Sequence, residues 1–203
     1  MLAAAICVGP VPETSNVEND RRVLKSPSGY QTVSMLDGGA TGLYYDVGEV
    51  IGRVRPDAAR VVLLGLGGGE MLRAARRTLP RADLIGVELD PRVARAAKEE
   101  FHVGYFGVDV VVEDAATYID RADPGSVDGL MVDIFDDLNI PPYFQSPVFF
   151  RSCRRALSPR GLLLMNVYPV ELGQPISAAM VSAGFSGVKL QPMGPNLILV
   201  AER

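Results

Sequence analysis

Acidic side chains that follow apolar, strand-forming runs are the residues of this chain best suited to chemistry. Val61-Val62-Leu63-Leu64 leads into Gly65-Leu66-Gly67-Gly68-Gly69 and then Glu70, and a helix-forming run continues through Thr78. Leu84 to Leu89 reads as a second buried strand and delivers Glu88 about 20 residues past the glycines, where an acid can accept hydrogen bonds from ribose hydroxyls. Val108 to Val112 ends in Glu113-Asp114-Ala115, which sets Asp114 within reach of an adenine amino group if a nucleoside lies across the strand ends. The fourth run, Val127 to Ile134, carries Asp133 directly after Met131 and Val132. A carboxylate there is costly to place without a partner or a task. Asp133 and Asp136 form an Asp-x-x-Asp pair that a turn can point into one pocket, whereas Asp137 reads as a solvated loop residue with a capping role.

The glycines narrow the ligand. A chain turning from a buried parallel strand into a helix needs glycine for positive φ and for close backbone approach to a ligand. The dinucleotide fingerprint places its third glycine five positions after the first, and that position is Glu70. Gly65, Gly67 and Gly69 give Gly-x-Gly-x-Gly instead, which resembles the first motif of S-adenosylmethionine-dependent transferases. A dinucleotide enzyme and a tight turn without ligand are the alternatives.

These residues need a scaffold, and the rest of the chain supplies one. Strands expected at 61 to 64, 84 to 89, 108 to 112, 127 to 134, 161 to 167, 187 to 192 and 196 to 201 alternate with helical segments until the last pair. Asp90-Pro91 and Ser146-Pro147 each place a capping residue ahead of proline at a first helical position. The pattern predicts an α/β fold with a mostly parallel seven-stranded sheet covered on both faces. Gly194-Pro195 is too short for a parallel crossover, so the final two strands form an antiparallel hairpin. Such a sheet resembles the Rossmann-like class I methyltransferase fold.

Residues 1–55 read as an arm and a small β-hairpin region, and 56–203 as the nucleoside-binding catalytic domain. Within the first, a strand is expected near Arg22 to Lys25. A hairpin is expected from Tyr30 to Leu36 through Asp37-Gly38-Gly39 into Leu43 to Tyr45, with a short helix over Val47 to Val54. With 203 residues, 48% of them hydrophobic, the chain suits one domain with a full core. A net charge of -4 and no Lys or Arg stripe give no footprint for nucleic acid. Cys7, Cys153 and the lone His102 favour neither a disulfide framework nor a metal site, and His102 reads as a surface residue. Leu2 to Val8 is too short to cross a bilayer and no basic segment precedes it, so the expected compartment is the cytoplasm.

From Arg60 to Val167 the chain resembles the catalytic domain of the spermidine synthases, the polyamine aminopropyltransferases. The resemblance rests on Gly65 to Gly69, Glu88, Glu113-Asp114-Ala115, Asp133 with Asp136, and Pro142-Tyr143-Phe144-Gln145-Ser146-Pro147-Val148-Phe149-Phe150, which is similar to the family's substrate-gating loop. Tyr30-Gln31 and Leu36-Asp37-Gly38 resemble its amino-terminal hairpins. The tyrosine of its Tyr-His-Glu motif falls on Tyr45 in Tyr45-Asp46-Val47, with Tyr44 as the other match. Where the family has an aspartate inside the glycine run to hold the donor's amine, this chain has Gly68, with Glu70 as the nearby substitute.

The resemblance implies that an aminopropyl group passes from decarboxylated S-adenosylmethionine to putrescine or a related amine. It assigns Gln31, Gly65, Gly67, Gly69, Glu70, Glu88, Asp114 and Ala115 to the donor, and Asp133, Asp136 and Tyr45 to catalysis, with a homodimeric assembly, while no ligand spacing in the sequence implies a metal. A methyltransferase using S-adenosylmethionine itself, and a binding-only relative, are the rival readings.

Overall fold

The computed structural model describes residues 13–26 and 29–203. Leu2 to Val8, Cys7 and the rest of residues 1–12 of the expected arm lie outside the described residues. The chain begins with a small antiparallel sheet, β1 (Glu13–Glu18), β2 (Arg21–Ser26) and β3 (Gly29–Met35), with β2 in the middle. The expected pairing of β3 with residues 43 to 45 does not form. Instead Tyr44–Gly48 is a 3-10 turn that runs into the helix α1 (Glu49–Val54). Local capping explains the difference, because the Asp46 carboxylate accepts from the Thr41 N–H (3.1 Å), the Thr41 hydroxyl (3.2 Å) and the Gly42 N–H (2.7 Å). Those bonds satisfy the backbone without a strand partner and favour a turn.

The main sheet has seven strands in the order β6-β5-β4-β7-β8-β10-β9. They are β4 (Arg60–Leu64), β5 (Asp83–Glu88), β6 (Val108–Val112), β7 (Val127–Val132), β8 (Leu157–Val167), β9 (Ser186–Met193) and β10 (Asn196–Glu202). The first five are parallel, and β10 runs antiparallel to both of its neighbours. The expected seven strands and closing hairpin are all present, though β7 stops at Val132 and β8 starts at Leu157.

Alternation along β4 builds both layers of core. Val61 and Leu63 join a cluster with Ile51 of α1, Leu72 of α2 (Glu70–Thr78) and Val93 of α3 (Pro91–Glu99). Val62 and Leu64 point the other way, to Ile119 of α4 (Ala115–Arg121), Phe149 of α5 (Pro147–Ala156) and Ile176 of α6 (Gly173–Ser182). Period-two strands sandwiched between helices require this division. The proline-led helices start as expected, with Asp90 accepting from the Arg92 N–H at 2.8 Å and Ser146 from the Phe149 N–H at 3.3 Å.

The 3-10 turn and α1 are fastened to α2. A Cβ on Gly48 would fall 2.0 Å from the Met71 carbonyl oxygen, so only glycine permits that approach. Arg77 of α2 donates to Asp46 and to Glu49, each at 2.7 Å. This placement fixes Tyr44 and Tyr45 against the main sheet.

Candidate active site at the sheet's switch point

After β4 the chain builds outward to β5 and β6, then crosses back to lay β7 on the other side of β4. The carboxyl ends of β4 and β7 therefore flank a switch point, where open α/β sheets bind ligands. Gly65 leaves β4 with φ +85°, and its N–H and that of Leu66 donate to the Val87 carbonyl at 3.0 and 3.1 Å. A Cβ at Gly65 would lie 2.2 Å from the Asp133 carbonyl oxygen. The glycine turn is thus pressed against the first residue beyond β7. The Asp133 N–H donates to the Leu64 carbonyl at 2.8 Å, which closes the two strand ends together.

Glu88 faces this turn. One of its oxygens accepts from the Gly67 N–H and the other from the Asp90 N–H, both at 3.1 Å. Burial raises the Glu88 carboxyl above its ordinary value, while the N–H groups of Asp90, Gly67 and Leu89 pull the other way.

Asp133 is held on both oxygens. The Tyr44 hydroxyl donates to Oδ2 at 3.1 Å, and the Asn166 amide of β8 donates to Oδ1 at 2.8 Å. Burial pushes its carboxyl up to about 6, against the lowering effect of these two donors. The Tyr44 hydroxyl is raised well above its usual value, first by burial and then by the facing Asp133 charge, so it keeps its proton and donates.

The remaining expected residues divide. Tyr45 is 5% exposed and packs behind Tyr44, with ring centroids 4.1 Å apart, so Tyr44 is the tyrosine that reaches the acid. Asp114 caps α4, its Oδ1 accepting from the Thr117 N–H at 2.9 Å and the Thr117 hydroxyl at 3.1 Å, and Ala115 is the buried first residue of that helix. Asp136 is exposed in a tight turn, paired through its backbone with Asn139, and the Asp133 carboxylate bonds to Tyr44 and Asn166 instead of meeting it. Gln31 lies on β3.

Glu70 turns away from the crevice. Its carboxylate is fully enclosed, 3.4 Å from Arg73 Nε and 3.9 Å from Arg77, and burial pushes it up to about 7. At Gly68 the N–H donates to the Thr32 hydroxyl at 2.8 Å, and a Cβ would stand 2.6 Å from the Thr32 methyl and 2.8 Å from the Phe101 ring. Side chains from β3 and from the turn after α3 occupy the space that an aspartate would need. A separate cavity of about 310 Å³, lined by Arg22, Arg73, Phe101 and Tyr105 among others, contains none of the expected site residues.

Asn166 and its partner Asn196, whose amide donates to Asn166 Oδ1 at 3.0 Å, were not anticipated from the sequence. The signal was available, because Asn166 interrupts the apolar run Leu162-Leu163-Leu164-Met165 as Asp133 does its own strand.

Residues 62–165 match the family model described as a methyltransferase domain, in agreement with this sheet and crevice, and the chain belongs to that family. A probable polyamine aminopropyl transferase of Bifidobacterium longum is 30% identical over 158 residues, 77% of this chain and 35% of that protein. The chain therefore spans about a third of that relative's length. The crystal structure of a probable spermidine synthase from Corynebacterium glutamicum superposes with a TM-score of 0.79 at 23% identity, covering 94% of this chain and 75% of that one. A spermidine synthase in complex with the transition-state analogue AdoDATO gives 0.68 at 16% identity, covering 94% and 73%. Among the described residues no helix is long and apolar enough to cross a membrane.

Proposed function

We propose that the protein transfers the aminopropyl group of decarboxylated S-adenosylmethionine to putrescine or a related amine. The observation that carries this reading is Asp133, which stands at the switch point with a donor on each oxygen and a carboxyl raised to about 6. In the reaction the neutral amine nitrogen attacks the methylene carbon beside the sulfonium. The carbon–sulfur bond breaks with its electron pair going to sulfur, which leaves a neutral thioether, and the nitrogen's surplus proton passes to Asp133. A base poised near neutrality suits that role. Gly65, Gly67, Gly69 and Glu88 hold the nucleoside, with Asp114 and Ala115 at the adenine end and Gln31 as a further donor contact. Asp136 anchors the cationic acceptor, and the two aligned reactants supply the rest of the acceleration. A homodimer on the strength of the family resemblance, a cytoplasmic setting and a site without metal complete the reading.

One observation favours methyl transfer from S-adenosylmethionine as a second reading. Gly68 lacks the acid that holds an aminopropyl amine, and Thr32 and Phe101 fill its place. Calorimetry with both donors, followed by turnover with putrescine, separates the two. Tighter binding of the decarboxylated donor and transfer to putrescine are expected, with kcat lowered by about 100-fold or more in Asp133→Asn. Tighter binding of S-adenosylmethionine with methylation of an acceptor overturns the proposal.

A further inference from the structure

We infer that Asn196 is a positioning residue for the proton-accepting acid: by holding the oxygen of the Asn166 carboxamide, it turns that amide's NH2 edge toward Asp133. The inference rests on the role proposed above for Asp133. Asn166 sits in β8 and is 2% exposed, so solvent does not supply its partners. Asn196 opens β10 just after the Gly194-Pro195 turn, and since Ile198 stands opposite Asn166, Asn196 reaches it diagonally. The chain of donors runs one way, from the Asn196 amide to Asn166 Oδ1 at 3.0 Å, then from the Asn166 amide to Asp133 Oδ1 at 2.8 Å.

A carboxamide has nearly the same shape when rotated by a half-turn, yet its two ends do opposite things to a carboxylate. The NH2 end favours the ionised acid, whereas the oxygen end repels it and favours the protonated form. Asn196 donates to Asn166 Oδ1, and with that oxygen engaged the NH2 edge of Asn166 is the one turned to Asp133. The titratable groups facing Asp133 are Tyr44, which donates to it, and Tyr45 behind, both from the 3-10 turn. From β4 it meets the backbone of Leu64 and Gly65, and from β8 it meets Asn166. With Tyr44 on the other oxygen, the amide locks the plane of the carboxylate and leaves its remaining lone pairs for the nucleophile.

Asn196→Asp tests this, since an aspartate of the same shape accepts from Asn166 and draws the amide round, turning its oxygen on Asp133. The full chain, labelled with 13C at aspartate carboxyls and assigned through Asp133→Asn, is titrated by NMR in the parent, in Asn196→Asp, and in Asn196→Asp placed on an Asn166→Leu background. Asn166→Ala serves as a second background. The Asp133 midpoint is expected to rise by about one unit in Asn196→Asp, and by about a third of that or less where the amide is absent. The acidic limb of kcat moves with it, while KM for the amine stays within about twofold. An unmoved midpoint, or an equal rise with and without Asn166, overturns the inference, the latter because charge alone then explains it. The titration needs no turnover, so a shifted midpoint in a protein that fails to transfer an aminopropyl group sinks the proposed function and leaves the positioning intact.

Discussion

Tyr44→Phe deletes a single hydrogen-bond donor and leaves its surroundings standing. The ring still packs on Tyr45, 4.1 Å between centroids, but Asp133 Oδ2 loses the hydroxyl that donates to it at 3.1 Å. Hydrogen bonds to charged groups contribute about 1.5–3 kcal/mol, and about 1.4 kcal/mol corresponds to one pKa unit. The Asp133 carboxyl is therefore expected to climb from about 6 to roughly 7–8. At pH 7 the ionised fraction drops from about nine tenths to between roughly a half and a tenth, so kcat falls about two- to tenfold. At about pH 9 most of that loss is recovered, because the acid is ionised in both proteins. Initial rates of thioether nucleoside release, taken as the ratio of variant to parent at each pH, cancel the acceptor amine's own titration. A ratio that is low and flat across the whole range refutes the reasoning, since it locates the role of Tyr44 in binding or chemistry and not in the charge of Asp133. A ratio of one throughout refutes it as well.

Two other perturbations act on stability. Glu70 keeps its proton to about pH 7 in the folded chain, against an ordinary value of 4.5, so the folded state binds more protons than the unfolded one between those limits. Its stabilising contribution is complete below the unfolded value and is lost as pH rises through the folded one, up to about 3 kcal/mol in all. Glu70→Gln should flatten that decline, read as urea midpoints at pH 5 and pH 8, and an unchanged slope would assign the ionisation elsewhere. Gly68→Ala drives a methyl into Thr32 and Phe101 and should cost about 1–3 kcal/mol, or several degrees in Tm. Thr32→Ser removes the obstructing methyl while keeping the acceptor for the Gly68 N–H, so the double variant should regain part of the loss; no recovery would show that the clash lies with Phe101 alone.

The main sheet was legible because its signals are local and repeated. Apolar runs, proline-led caps and the short Gly194-Pro195 link each constrain one element, and together they leave a single architecture. The acids at strand ends were legible for the same reason, since an open parallel sheet exposes one edge to ligand. What failed to show was side-chain pairing across large sequence distances. Nothing near Tyr44 announces that it, and not Tyr45, lies opposite a residue 89 positions away. The hairpin expected after β3 was lost to the Asp46 carboxylate, a capping interaction that strand periodicity does not register. Asn166 was missed because a polar residue inside a strand was weighed only where it was charged. Glu70 was assigned to the donor from its position after the glycines, yet the first turn of α2 directs it toward Arg73 and Arg77.

The fastening of the 3-10 turn to α2 by Gly48 and Arg77 also bears on how this fold tolerates being cut or recombined. A chimera joined between residues 55 and 56 would carry the glycine turn and Glu88 into foreign sequence, yet strip Asp133 of its phenolic partner and the Gly68 N–H of its Thr32 acceptor. Shuffling within this architecture is thus safest at a seam that leaves both Thr32 and Tyr44 on the transplanted piece, which then carries its own proton-tuning apparatus.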